Sequence, residues 1–268
     1  MDNRELKKTI ATTFDNVSTR YDENKFFAIS AKRMVELIPV SEYMHILDVS
    51  TGTGAVAIEL ARKYPQTRVE GIDLSLGMLR QARNKAKMEG LENLGFQQCD
   101  VERIAYGDGV FDAVTCGYAL FFYPDMEQAY QAIVRTIRAG GLFVFSSFTP
   151  EAFNPHSEIF LQRLESDYQV EMPSGLRERL RTKEQIEELT AVCDCKGLRI
   201  EHHPIRYSIT TSEWWSLLNN AGYKSLLDQL NSEQLARFKR EHLSDIESVS
   251  SDDTFTLNTD TLFGMVQV

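Results

Sequence analysis

The segment ILDVSTGTGAVAIEL, residues 46–60, constrains this chain most. A short apolar run closes on Asp48-Val49, five small residues follow, and from about Ala55 apolar residues recur at helical spacing. That is a strand, a tight turn and a helix. Gly52 and Gly54 lack a Cβ, so the turn can be sharp and its backbone can approach a ligand closely. The helix start then offers unpaired N–H groups beside it. An ordinary glycine-rich turn fits the same letters, so the segment needs its context.

The context is an alternation. Strand-like runs at 44–49, 68–74, 94–100, 111–118 and 141–148 are separated by helix-periodic segments, the last of them, MEQAYQAIVRTIRAG, ending at Gly140. Strand and helix in turn with short connections predict an α/β fold, a parallel sheet covered by helices. Residues 2–38 read as helical with an interruption near 16–24, and 151–197 as mostly helical with a break at 172–175. RIEHHPIRYSI (199–209) reads as a sixth strand, 212–230 and 232–248 as helices, and FTLNTDTLFGMVQV as a last strand. The expected organisation is one domain over 1–268: an N-terminal helical lid (1–40), a ligand-binding core (41–148), and helical caps at 149–198 and 211–250.

Charge and composition exclude several classes. With 29 basic and 39 acidic residues the net charge is −10, which repels phosphate backbones and disfavours a nucleic-acid partner. No apolar run approaches the roughly 20 residues of a membrane span, and MDNRELKKTI has no signal-peptide core. Four cysteines in 268 residues do not make a disulfide framework, so a reduced, cytoplasmic protein is expected.

Three acids lie in register with the turn. Asp48 precedes it, Asp73 ends the second strand about 20 residues on, and Asp100 ends the third. Ligands of doubly wound folds sit at that sheet edge, where a carboxylate can accept from ribose hydroxyls and another can meet an adenine amino group. A nucleoside site is predicted. GTGAVA also satisfies the dinucleotide fingerprint, so a nicotinamide-dependent oxidoreductase and a non-catalytic nucleotide-binding protein remain alternatives. Asp48 weighs against a pyrophosphate and suits a ligand bearing an ammonium group. No Tyr-x-x-x-Lys pair follows.

At these residues the chain resembles the class I S-adenosylmethionine-dependent methyltransferases. The D/E-x-G-x-G-x-G motif stands here as Asp48-Val49-Ser50-Thr51-Gly52-Thr53-Gly54, with Ser50 in place of the first glycine. Gly71-Ile72-Asp73-Leu74-Ser75 with Met78, then Cys99-Asp100-Val101-Glu102, Phe111-Asp112-Ala113-Val114 leading into Cys116-Gly117-Tyr118, and Ala139-Gly140-Gly141-Leu142 match later motifs. Upstream, Phe14-Asp15 through Tyr21-Asp22-Glu23-Asn24 is similar to the FD-x(5)-YD-x-x-N segment of the ubiquinone/menaquinone-type group, whose tyrosine borders the methyl donor. Helix-cap roles for Asp15 and Asp22 are the plain alternative. The resemblance implies a doubly wound, seven-stranded, mostly parallel sheet with an antiparallel last strand and a helical roof. It implies S-adenosylmethionine as cofactor. Asp73 would hold ribose, Asp100 and Val101 the adenine end, and Asp48 with residues 50–54 the methionine portion. Tyr21 and Tyr118 would flank the donor, with Leu74, Met78, Cys99, Cys116 and Gly117 completing the cofactor set.

A small-molecule acceptor is expected, walled by Phe121 and Phe122, with plain core packing of that pair as the alternative. His203 is the one histidine candidate near it, and no general base is identifiable. Cys193 and Cys195 supply only half a tetrahedral zinc site, so no metal is expected. Arg177, Arg179, Arg181 and Lys183 read as a solvated helix face, with an anion clamp as the alternative, and Trp214-Trp215 as a packing anchor. GxSxG, Walker and HExxH motifs are absent from the sequence.

Overall fold

The computed structural model describes residues 2–40, 44–171, 178–249 and 254–268. The break expected at 172–175 and Arg177 lie outside them. In chain order the strands are β1 (His45–Val49), β2 (Arg68–Asp73), β3 (Leu94–Gln98), β4 (Phe111–Gly117), β5 (Ile137–Phe148), β6 (Lys196–His203), β7 (Arg206–Thr210), β8 (Thr254–Asn258) and β9 (Thr261–Gln267). Seven of them form one sheet in the order β3-β2-β1-β4-β5-β9-β6. The strands pair in parallel from β3 to β5, and β9 runs antiparallel to both β5 and β6. The strand order reverses between β1 and β4, so the crevice for a ligand lies above their C-terminal ends.

The helices are α1 (Asn3–Val17), α2 (Lys25–Glu36), α3 (Ala55–Lys63), α4 (Leu76–Met88), α5 (Met126–Arg135), α6 (His156–Tyr168), α7 (Lys183–Thr190), α8 (Thr211–Asn219), α9 (Lys224–Leu227) and α10 (Ser232–Ser248). Successive strand residues point to opposite faces. Ile46, Val69, Ala113 and Val144 pack with Met34 and Val35 of α2 and Ala57 and Leu60 of α3. Leu47, Ile72, Val114 and Phe143 pack with Tyr130 and Ile133 of α5 and Ile186 and Leu189 of α7 on the other face. Each Val, Leu, Ile, Phe or Met side chain so removed from water stabilises the fold by about 1.5–3 kcal/mol, and the strands are covered on both faces.

A third apolar cluster belongs to the roof. Trp214, Phe160, Phe238, Leu226 and Leu257 close around one another and reach Phe26 and Tyr118. Within the 149–198 segment α6 joins this roof cluster, whereas α7 packs under the sheet beside α5.

Two strands expected to be continuous are broken. The run 199–209 divides at Pro204 into β6 and β7, and 255–268 divides at Thr259-Asp260 into β8 and β9. β7 and β8 leave the main sheet and pair with each other. Proline cannot donate to a ladder. Asp260 holds the break by accepting from the Ile205 N–H at 3.1 Å and from Arg206 at 2.6 Å. The helix expected to reach Gly140 stops at Arg135, and β5 begins at Ile137 with a register shift opposite Phe111 and Ala113. The helix expected over 212–230 is two, α8 and α9. No helix among the described residues is long and apolar enough to cross a membrane.

Candidate functional site

The turn after β1 is built on left-handed backbone: Ser50, Gly52 and Gly54 have φ of 50°, 57° and 85°. A Cβ placed on Gly52 would meet nothing within 4 Å, so its backbone faces open space. Thr51 N–H donates to the Ile72 carbonyl at 2.9 Å, fastening the turn to β2. Beneath it Asp48, 1 % exposed, accepts from the hydroxyls of Thr51 and Thr115, both at 2.6 Å. Burial pushes its pKa up to about 6, against the opposing pull of the Thr115 and Thr51 bonds. The expectation for Asp48 is corrected here: it braces the turn from behind and does not line the cleft.

Asp73 faces the cleft. Its carboxylate accepts from the Gly52 N–H and the Ser75 N–H, each at 2.8 Å, which ties the turn to the start of α4. Burial pushes its pKa up to about 6 against the bonds from Ser75 and Gly52. Asp100, at the end of the β3 segment, receives the Lys7 ammonium at 2.7 Å and the Glu102 N–H at 3.1 Å. Lys7 reaches Glu102 as well, at 2.6 Å. Burial works against the Lys7 charge, but Asp100 and Glu102 outweigh it and hold its pKa above the ordinary value.

Helix α1 lies across this edge. Asp15 accepts from Ser75 Oγ at 2.5 Å and from the Gly77 N–H at 2.7 Å, capping α4 from outside its own chain segment. A Cβ on Gly77 would sit 2.9 Å from that carboxylate, so this approach needs glycine. Asp22 accepts from Thr53 Oγ1 at 2.6 Å and from Lys85 at 2.7 Å. The two acids of the FD…YD segment thus fasten the N-terminal segment to the glycine-rich turn and to α4. Between them Tyr21 stacks on Phe27 at 4.4 Å and meets the edge of Phe14, while burial raises its phenol pKa far above the ordinary value.

The cleft is lined by Tyr21, Ser50, Gly52, Asp73, Leu74, Met78, Cys99, Asp100, Val101, Gly117, Tyr118 and Phe122 among the residues singled out from sequence. Five expected cofactor residues stand behind this surface: Asp48, Thr51, Thr53, Gly54 and Cys116 are absent from the lining. The reason is alternation and the turn itself, which send Cys116 into the core and engage Thr51 and Thr53 with Asp48 and Asp22. Tyr118 presents its ring, but its hydroxyl is bound to Thr261 at 2.7 Å and the ring stacks on Phe148 at 4.2 Å. Burial pushes that phenol up to about 12.

Two acceptor expectations are corrected. Phe121 turns away from the cleft into the roof cluster beside Phe148, and only Phe122 lines it, edge-on to Phe14 at 5.5 Å. His203 lies on β6, the sheet edge remote from β4, and neighbours Glu201 at 3.9 Å. Lining residues not foreseen are Lys7, Ile10, Ala11, Ser75, Ala119, Tyr123, Pro124 and, unassigned though quoted in its motif, Phe14. Lys7, Ile10, Ala11 and Phe14 are three or four residues apart, one face of α1, a signal readable from helical spacing alone.

Other candidates resolve as structure. Arg179 donates to the Tyr123 carbonyl and Arg181 to those of Thr149 and Pro150. Trp214 is fully buried and donates to His242 Nε2 at 2.9 Å. Cys195 accepts from the Tyr130 hydroxyl at 3.9 Å, and among the described residues no group of three or more His, Cys, Asp or Glu is placed to hold a metal ion.

The cleft thus offers an open glycine cradle, a carboxylate at each of two strand ends and an aromatic wall, a donor set that fits a nucleoside carrying a sulfonium. The sequence profile described as "Methyltransferase domain" matches residues 46–141. A demethylmenaquinone methyltransferase of Thermus thermophilus is 33 % identical over 160 residues, covering 56 % of this chain and 72 % of the relative. A malonyl-[acyl-carrier protein] O-methyltransferase of Geobacter sulfurreducens is 29 % identical over 215 residues, 74 % of this chain and 76 % of the relative. The fold matches the phosphoethanolamine N-methyltransferase 2 of Haemonchus contortus, solved in complex with S-adenosyl-L-methionine, with a TM-score of 0.59, 16 % identity and coverage of 93 % of this chain and 57 % of that one. The chain belongs to the class I S-adenosylmethionine-dependent methyltransferases, and S-adenosylmethionine is its cofactor.

Proposed function

We propose that this protein transfers the methyl group of S-adenosylmethionine to a small, flat, largely apolar acceptor, in the cleft between α1 and the ends of β1, β2 and β4. In this reading Asp73 accepts from the ribose hydroxyls and Asp100 with Val101 meets the adenine, while Leu74, Met78 and Cys99 pack on the nucleoside. The turn at Ser50 and Gly52 takes the methionine portion. The cofactor supplies an electrophilic methyl group on a cationic sulfur. The protein's own part is to align the acceptor with that methyl group and exclude water. The ring faces of Tyr21 and Tyr118, with Gly117, border the position of the charge, where aromatic faces favour a cation.

The observation that carries the acceptor class is the wall itself. Phe14, Phe122 and Tyr21 line the cleft, and the lysine beside them, Lys7, is already paired with Asp100 and Glu102. A flat apolar molecule gains from such rings about 25 cal/mol per Å² of buried surface, whereas a polyanion meets an acidic protein of net charge −10. The names of two relatives point to demethylmenaquinone and to a malonyl group on a carrier protein.

No histidine lines the cleft among the described residues, and Asp73 is engaged by two backbone N–H groups. The reading therefore favours an acceptor that arrives already nucleophilic, such as an enolate or phenolate. The test is transfer of labelled methyl from S-adenosylmethionine to three acceptor sets: phenols and hydroquinones, a carrier-protein-bound carboxylate, and RNA. Label in the first set supports the proposal. Label confined to the carrier-bound or nucleic-acid set overturns it.

A further inference from the structure

Two thiols outside the cleft stand side by side. Cys193 and Cys195 lie on the short link between α7 and β6, and neither lines the cleft. The link is folded on itself. The Cys195 N–H donates to the Cys193 carbonyl at 2.8 Å, the i→i+2 bond that defines a γ-turn, here centred on Asp194. That fold decides whether the sulfurs can meet. An extended chain would hold Cα atoms two residues apart at about 7 Å, the limit beyond which a disulfide cannot span. The turn draws the two Cα atoms inside it.

Both thiols are half-buried against the core under the sheet, and Asp194 between them is exposed. A small reagent can therefore reach them from the Asp194 side. Their surroundings differ. Burial first, and then the adjoining Cys195 thiol, hold the Cys193 thiol above its ordinary value. Cys195 Sγ instead receives the hydroxyl of Tyr130, a fully buried residue of α5, at 3.9 Å. The other two cysteines serve as internal controls. Cys99 is half-buried in the cleft with its sulfur on the Asp100 carbonyl at 3.5 Å, and Cys116 is fully buried.

We infer that Cys193 and Cys195 form a dithiol site that closes reversibly to a disulfide by exchange with a low-molecular-weight disulfide. In the first step the Cys195 thiol loses its proton to solvent and the thiolate attacks one sulfur of the reagent. A protein–reagent S–S bond forms, the reagent's own S–S bond breaks, and the departing thiolate takes up a proton. In the second step the Cys193 thiolate attacks Cys195 Sγ, and the second reagent thiolate leaves and is protonated. Two protein thiols become one disulfide while one reagent disulfide is reduced to two thiols, so no other oxidant is needed. The order follows from the surroundings. The Tyr130 hydroxyl is a donor for the Cys195 sulfur when that sulfur carries charge, whereas burial leaves Cys193 short of thiolate. Cys193 suits the second step, where its target is already adjacent and proximity offsets low reactivity.

The test is incubation of the full chain with oxidised glutathione, followed by acid quench, alkylation of free thiols and peptide mass mapping. The wild type is compared with Cys193→Ser and Cys195→Ser. In the wild type the peptide holding both cysteines should lose two hydrogens, carry no glutathione, and recover both thiols in dithiothreitol. Cys193→Ser should stop at a mixed disulfide on Cys195. Cys195→Ser should take glutathione on Cys193 about threefold or more slowly than that. The wild-type map alone decides the site, whatever the folding of the variants. Glutathione carried separately on Cys193 and Cys195, or both thiols left free while Cys99 reacts, would overturn it. So would a disulfide joining either thiol to Cys99 or to a second chain. Equal rates in the two variants would overturn the assigned order of attack.

Discussion

Asp48 is held under the glycine-rich turn by two threonine hydroxyls, and both bonds go to a carboxylate removed from water. Thr115→Val keeps the volume and deletes one of them. It should destabilise the protein by about 1.5–3 kcal/mol, read as a lower urea midpoint with an unchanged slope; a change within about 0.5 kcal/mol would show that Thr115 does not support the turn. This residue also marks how far sequence reading reaches. Asp73 and Asp100 line the cleft, and their positions at or just past the end of a parallel strand make that legible, because such residues emerge at the ligand edge. Asp48 sits next to the turn in sequence, yet it is still within β1, paired with Gly71 and Thr115, and its carboxylate is taken up by the Thr51 and Thr115 hydroxyls. Tyr123 was not legible, since its place depends on how the segment before α5 folds back onto the turn.

Helix α1 and the turn that follows it are fastened at three points, by Lys7 to Asp100 and Glu102, by Asp15 to α4, and by Asp22 to Thr53 and Lys85. The Lys7 latch is the one that crosses the mouth beside the acid assigned to adenine. Lys7→Met should loosen α1, with faster amide exchange over 3–17 and S-adenosylhomocysteine dissociating about threefold to tenfold faster, an effect that added salt reproduces in the wild type. Unchanged dissociation would mean the ion pairs do not gate the cleft. The helical N-terminal segment is legible from residues 2–38 and its acids from the FD…YD spacing, but the partners of those acids lie 31 to 63 residues away in Thr53, Ser75, Gly77 and Lys85. The breaks of the sixth and last strands had a local signal in Pro204, outweighed by the alternation on either side of it.

At the scale of the whole molecule, the sandwiched sheet and the roof have separate apolar cores that meet near Tyr118 and Phe26. The roof core contains His156 and His242, each with an unpartnered ring Nδ1 and each pushed down by burial to about 4. Their folded values lie below the unfolded value near 6.5, so the stability they allow is complete above pH 6.5 and lost as pH falls towards 4. Asp48 and Asp73, raised to about 6, act with the opposite sign: their burden is absent below about pH 4 and grows as pH rises through 6. His156 stacks on Phe255 at 3.8 Å, and His156→Phe removes one titration while keeping a ring there. At pH 5 it should spare about 1–2 kcal/mol of the stability the wild type loses relative to pH 7; an unchanged loss would exclude His156 as a cause. The cleft at the ends of β1 and β2 is the proposed cofactor site. Calorimetric titration of S-adenosylhomocysteine into the wild type and Asp73→Asn tests this most directly. The expected result is binding of one ligand per chain in the wild type and affinity weaker by about tenfold or more in the variant, both titrated well below their ligand-free melting temperatures; equal affinity in the two proteins would contradict it.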